Sequence, residues 1–228
     1  QMGGETMRNW IRAGSLGAAL LLLASLWGCT TSYVQRPVTL RYEGPKSGTL
    51  IDPSVQAFPN IIIVPFVDLR RKKSSFGTYH WGGLSVDFIS GRETVATGVT
   101  RLVRDFLLKA GMKPVNGKWN GRLDSLPGIQ GEHAIYGEIE RLDFSGKGRF
   151  YEAKNKGTIR LIIKWGNRSS RKIVTRKVEI TPNTREIHLF TSDFNHVERM
   201  EGLIRSSVNR AIREGLTTLF NSPTDRGR

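Results

Sequence analysis

Apolar and polar residues follow two periods along this chain, and the switches between them mark its elements. From Asn60, Ile61, Ile62, Ile63 and Val64 form a β-branched run ending at Pro65, the pattern of a strand buried on both faces. Between Arg92 and Ala110, Val95, Val99, Leu102, Val103, Phe106, Leu107 and Ala110 recur every three or four residues, which predicts a helix with one apolar stripe. Ser90 reads as its N-cap, Glu93 completes a capping box, and Gly111 supplies the stop. Met112–Val115 reads as a short strand, and the glycine-rich Asn116–Gly131 as a surface excursion.

In Ala134–Phe144, Ile135, Gly137 and Ile139 alternate with Tyr136, Glu138 and Glu140, the period of a half-buried strand. Gly157–Trp165 and Lys172–Ile180 flank the polar turn Gly166–Ser170 as a hairpin. Val197–Phe220 carries Met200, Ile204, Val208, Ile212, Leu216 and Leu219 on one side of a second helix, ended by Asn221, Ser222 and Pro223. Residues 222–228 are expected to be a disordered tail. Two helices with one stripe each must bury them against the same sheet. The expected fold over residues 60–221 is therefore α+β, a two-layer sandwich of about four to five strands in a mixed sheet, with both helices on one face. The first strand–helix–strand unit is expected to cross over right-handed.

Thr30–Asn60 holds Pro37, Pro45, Pro53 and Pro59 and no sustained period, so it reads as an extended linker with a short edge strand at Val38–Tyr42. Ahead of it, Met7–Cys29 opens with Arg8 and Arg12, continues as an uncharged apolar run from Leu16 to Leu26, and closes on Gly28 and the single cysteine. A cationic start, a short apolar core and a small residue at the exit describe a secretory signal peptide. The run is shorter than the roughly 20 apolar residues a spanning helix needs. An uncleaved signal anchor, or a buried helix with an incidental cysteine, are the other readings. Residues 1–6 precede a start at Met7 and read as an upstream remnant. The expected division is thus signal peptide 1–28, linker 29–59 and folded domain 60–221.

A hydrophobic share of 38% suits a globular domain, and with one cysteine there is no disulfide to brace it. The net charge is +15, of which Glu5, Arg8 and Arg12 account for only +1. Such a charge draws anionic partners, or simply keeps a tethered domain soluble, and both readings stand. In an exported chain the anions are lipid head groups, lipopolysaccharide phosphates or cell-wall polymers, and export argues against nucleic acid.

No catalytic constellation is legible. His80, His133, His188 and His196 are scattered without the helical spacing of a zinc pair. No serine sits in a nucleophile elbow, and no glycine-rich phosphate loop follows the first strand. Glu138 and Glu140 lie two apart on a strand and read as its polar face. What remains is a binding surface. Arg70, Arg71, Lys72 and Lys73 run into Phe76, Tyr79, His80 and Trp81, a cationic cluster beside aromatics on what reads as a basic loop. Lys154, Lys156, Arg160, Lys164, Arg168, Arg171, Lys172, Arg176 and Lys177 add a second basic region on the hairpin. The binding candidates are Arg70, Arg71, Lys72, Lys73, Tyr79, Trp81, Lys164, Arg168, Arg171 and Lys172. The alternative is a solvated outer sheet face, with a loop that packs its aromatics inward.

Leu26-Trp27-Gly28-Cys29 resembles a bacterial lipobox, with Trp27 where a small residue is usual. That resemblance implies a diacylglycerol and an N-acyl chain on Cys29, and no other cofactor is expected. Beyond it, the strand IIIVPFVDLR, a loop closing in Phe76-Gly77, a helix ending in LLKAG, then IYGEIERLDF, a hairpin and a terminal helix resemble the YajG-like family of small bacterial lipoproteins. The layout, over roughly residues 60–220, is similar to the periplasmic domains of the CsgG and LpoB lipoproteins. The resemblance implies a lipoprotein of the outer membrane facing the periplasm, which binds or assembles other envelope components and has no catalytic residues to carry over. Thr30 after the cysteine, rather than Asp, is in keeping with outer-membrane sorting. The expected function is a non-catalytic, lipid-anchored accessory with an envelope protein partner. The alternative is an accessory that binds anionic glycolipid, lipopolysaccharide or cell-wall polymer.

Overall fold

A computed structural model describes residues 32–44, 60–149, 152–187 and 193–221. The expected signal peptide, Cys29, residues 45–59 of the linker and the 222–228 tail lie outside the described residues. In chain order the elements are β1 (Ser32–Val38), β2 (Ile61–Ile63), β3 (Val67–Asp68), β4 (Ser75–Trp81), β5 (Leu84–Ser90), α1 (Val95–Lys109), β6 (Pro114–Asn116), β7 (His133–Arg149), β8 (Glu152–Asn167), β9 (Lys172–Ile180), β10 (Asn183–Ile187) and α2 (Asp193–Phe220). A 3-10 helix, Leu123–Gly128, lies between β6 and β7.

The sheet has ten strands and curls into a half-barrel, which corrects the expected sandwich of four to five. Its frame is the antiparallel pair β7–β8, in register from His133 opposite Asn167 to Arg149 opposite Glu152. At about 3.4 Å per residue this hairpin is roughly 55 Å long. Along β7, β2 and β3 pair with the first half and β4 with the second, followed outward by β5 and β1. Along β8, β9 pairs with the half near Asn167 and β10 with the half near Glu152. We call the Asn167 end of the hairpin the root and the Arg149–Glu152 end the tip.

Glycines hid the second half of β7 from a pattern reading, because glycine weakens a strand. Here Gly146 and Gly148 make room for a ring. A Cβ on Gly146 would lie 2.3 Å from the Tyr79 ring, and one on Gly148 2.2 Å from its hydroxyl. The stretch read as a basic loop with exposed aromatics is instead β4, whose Phe76 and Tyr79 are each 1% exposed, while Trp81 is half-buried. Gly77 has φ +145 at the register shift between Ser75 and Gly77, and a Cβ there would meet the Phe144 carbonyl oxygen at 1.9 Å.

The linker reading also changes at its start. β1 pairs in parallel with β5, and Val38, Leu40 and Tyr42 enter the main core. Tyr42 meets Phe106 edge to face at 5.9 Å. The Asn209 side chain of α2 donates to the Arg41 carbonyl at 2.7 Å and accepts from the Glu43 N–H at 3.1 Å. Arg36 of β1 pairs with the buried Glu201 of α2 at 3.1 Å.

Both helices cover one face of the sheet, and the main core among the described residues runs from Val38 to Phe220. Thr94, not Ser90, caps α1: its hydroxyl accepts from the Thr97 N–H, while Ser90 closes β5. Gly111 follows α1 with φ +83, the left-handed residue expected at a helix end. On the opposite face, Trp119, Leu126 and Ile129 of the expected surface excursion close a second, smaller cluster over Ile62 and Ala134.

Candidate functional site

The sheet face away from the helices carries the cations, and register decides which of them meet. Residues directly opposite in an antiparallel pair share a face. On β7 and β8 the outward pairs include Tyr136 with Lys164, Lys147 with Lys154 and Arg149 with Glu152. From root to tip this face falls into three regions.

Nearest the root lies the small apolar cluster under Trp119 and Leu126. Arg168, Arg171 and Lys172 sit at its edge, in or beside the β8–β9 turn. Arg168 donates through its backbone N–H to the Glu132 carbonyl at 2.8 Å and through Nη1 to the Ile129 carbonyl at 3.2 Å. The Glu132 carboxyl is held below its ordinary range, chiefly by hydrogen bonds from Ser169. Arg171 is exposed with φ +49, and it lines an open hollow with Arg122, Leu123, Asp124 and Pro127.

The middle of the face is a compensated ion lattice. Lys164 meets Glu138 at 3.6 Å and lies 5.3 Å from the centre of the Tyr136 ring. Arg160 bridges to Glu179 at 2.9 Å and Lys177 to Glu140 at 3.5 Å. Hydrogen bonds from Arg160 lower the Glu179 carboxyl. Arg176, opposite Ile163, is on the helix side.

Arg70–Lys73 lie beside this middle region, against Leu142. Arg70 is buried and is not a surface cation. Its Nε and Nη2 donate to the two Asp68 carboxylate oxygens at 2.9 and 2.8 Å. Nη1 donates to the carbonyls of Ser75 at 2.8 Å and Leu142 at 2.9 Å, and Nη2 also to that of Lys73 at 3.0 Å. All five guanidinium protons are used, so this side chain builds the bend between β3 and β4. Arg71, Lys72 and Lys73 remain exposed around it. Tyr79 faces the core, where its ring stacks on His196 at 6.4 Å. The ten candidates therefore do not form one site: Leu142 and the root are about 30 Å apart along β7.

Toward the tip the cations outnumber the acids. His80, Lys147, Lys154 and Arg185 are neighbours in register across β4, β7, β8 and β10, a transverse row of exposed side chains. Arg149 and Lys156 flank it and are exposed as well. Glu152 is the acid of this group, with Arg185 donating to it and Lys154 3.3 Å away. Burial pushes its carboxyl up, but hydrogen bonds from Arg185 and Lys154 outweigh that and hold it below its ordinary range. Among the described residues, Lys147, Arg149 and Lys156 have no carboxylate within 4 Å. Lys147 opposite Lys154 is a like-charge cross-strand pair, which is destabilising on its own. The sequence reading noted Lys154 and Lys156 but missed Lys147, Arg149 and Arg185. The signal was arithmetical: residues summing to 301 face each other, but only once the strands are known to run to Arg149 and Glu152.

Among the described residues, no three His, Asp or Glu side chains converge as a metal site requires, and no helix is long and apolar enough to cross a membrane.

No protein-family model and no curated protein matches the chain. Its fold aligns with several solved structures. A Xanthomonas campestris protein of the DUF330 family is 12% identical, with 82% of this chain and 95% of that one covered at a TM-score of 0.45. PelC from Paraburkholderia phytofirmans, a dodecamer, is 9% identical over 72% of this chain and 88% of its own, at 0.38. The rare lipoprotein B from Shewanella oneidensis is 12% identical over 69% of this chain and 92% of its own, at 0.36.

Proposed function

We propose that this protein is a non-catalytic lipoprotein of the bacterial cell envelope, anchored through Cys29 in the outer membrane and facing the periplasm. There it acts as a binding or assembly accessory for an envelope protein. The observation that carries this reading is the distance between anchor and fold. β1 starts at Ser32, three residues after Cys29, and is bound into the sheet, the core and α2. Three residues span at most about 11 Å. A domain so mounted works at the membrane surface, because it has no tether with which to reach across the periplasm.

The basic side chains of the bend and of the middle of the outer face are spent within the fold. Arg70 spends all its donors on backbone and Asp68, and the lattice of Lys164, Arg160 and Lys177 is matched by Glu138, Glu179 and Glu140.

The test is metabolic labelling with an alkyne-bearing fatty acid in a bacterium producing the full chain or its Cys29→Ala variant. The wild type is expected to take up label and to fractionate with the outer membrane. Cys29→Ala is expected to take up none and to leave that fraction. Equal labelling and fractionation of the two would remove the anchor and this reading with it.

A further inference from the structure

We infer that the tip half of the outer sheet face, centred on Lys147, Arg149 and Lys154, docks on the anionic phospholipid head groups of the membrane that holds the anchor. The inference rests on the anchored reading for which membrane it is. The cationic surface itself does not depend on lipidation.

Two observations meet here. The first is a contrast within one sheet face. The middle of the hairpin interleaves cations with Glu138, Glu140 and Glu179, whereas the tip sets Lys147 against Lys154 and adds Arg149, Lys156 and Arg185 against Glu152 and, three strands from Lys156 in its row, Asp87, which accepts from the Tyr33 hydroxyl at 3.1 Å. Like charges held in register across strands repel, and an anionic surface relieves that repulsion. The second is direction. Ser32 is in register with Leu84, Leu84 with Trp81, and Trp81 with Gly148, so the chain leaves for Cys29 at the same end of the sheet as the tip. Tyr33, one residue in from Ser32, lies in the transverse row with Ser85, His80, Lys147, Lys154 and Arg185. At about 4.8 Å per strand, the row places Lys147 roughly 14 Å and Arg185 roughly 24 Å from β1. The apolar rim fits the same surface: Tyr33 is 59% exposed and Ile187, at the end of β10, 71%. A tyrosine with a polar tip suits the head-group layer.

The lipid chains already hold the protein to the bilayer, so the cationic row acts on orientation. It lays the tip against the head groups and turns the root, with Trp119 and Leu126 beneath it, away from the membrane.

The chain from residue 29, with Cys29→Ser so that no lipid is attached, keeps every core residue described above and is the form to test. Its co-sedimentation is measured with vesicles of phosphatidylcholine alone and of phosphatidylcholine mixed with phosphatidylglycerol. Each cation near an anionic surface contributes about fivefold to the partition. We expect binding to the anionic vesicles only, released in about 0.5 M salt, where screening shortens to a few ångströms. Lys147→Glu with Arg149→Glu is expected to weaken it at least tenfold, and Lys147→Gln with Arg149→Gln by an intermediate factor. Arg122→Glu with Lys172→Glu changes the net charge equally at the root and is expected to leave binding within about twofold of wild type. An unfolding midpoint no lower than that of the wild type shows that each variant is folded. Equal loss in the tip and root variants would reduce the effect to overall charge and overturn the inference. So would equal binding to neutral vesicles. No binding to anionic vesicles at low salt would also overturn it, and would leave the row to an acidic protein surface. None of these outcomes touches the fatty-acid labelling of Cys29, so the two readings fail separately.

Discussion

Arg70 has five N–H donors in one plane and uses all five: two on Asp68, three on the carbonyls of Lys73, Ser75 and Leu142. Its side chain and that of Asp68 are each 7% exposed. Replacing the guanidinium leaves the buried Asp68 carboxylate without its counter-charge, holding only the Arg70 backbone N–H at 3.1 Å, and takes a donor from each of three carbonyls, which costs more than the pair itself contributes. Arg70→Met is therefore expected to lower unfolding stability by about 3–5 kcal/mol, read from denaturant midpoints at constant slope. Arg71→Met, exposed beside it, is expected to change stability by less than about 0.5 kcal/mol. In sequence the two arginines are indistinguishable members of one basic run. What separates them is Asp68, two residues away on a strand of two residues that pairs with β7, and nothing local announces so short a strand.

The elements that sequence periodicity identified are those with long, unbroken stripes. α1, α2 and the β8–β9 hairpin lie close to where the pattern put them. The strands it missed are interrupted by residues chosen for packing. Gly146 and Gly148 break the apparent strand because Tyr79 needs the space of their missing side chains. Gly82-Gly83 marks a hairpin turn between β4 and β5, with φ +53 at Gly82, but the lysines before it made the stretch look like a loop. β1 was hidden by Pro37 and by six exposed residues of seven, since an edge strand in parallel register with β5 needs no apolar stripe of its own. The residues after it settle its status. Leu40 is 2% exposed in the main core, and its carbonyl accepts from Arg101 at 2.6 Å. Leu40→Ala is expected to cost about 2–5 kcal/mol, the range for a core leucine. A tether residue changes stability by less than about 0.5 kcal/mol, so thermal or denaturant unfolding of this single variant separates a folded β1 segment from a linker.

At the scale of the whole molecule, net charge alone said little. A formal +15 is compatible with a solubilising coat or with an anionic partner, and composition cannot distinguish them. Register can. Folding gathers Glu138, Glu140 and Glu179 onto the middle of the outer face and, among the described residues, leaves Lys147, Arg149 and Lys156 with no carboxylate within 4 Å at the tip. The same fold brings Ser32, the described residue nearest Cys29 in sequence, to that end of the sheet. Charge asymmetry and chain direction thus agree on the orientation inferred above, tip toward the bilayer and root away from it. The most direct measurement is depth. In the lipidated protein on vesicles, a fluorophore at His80→Cys on the tip row and one at Lys172→Cys at the root are compared for quenching by nitroxide-labelled lipids. The two positions are exposed and about 45 Å apart along the hairpin. Strong quenching is expected at residue 80 and none at residue 172. Equal quenching at both, or the reverse order, would contradict the inferred orientation.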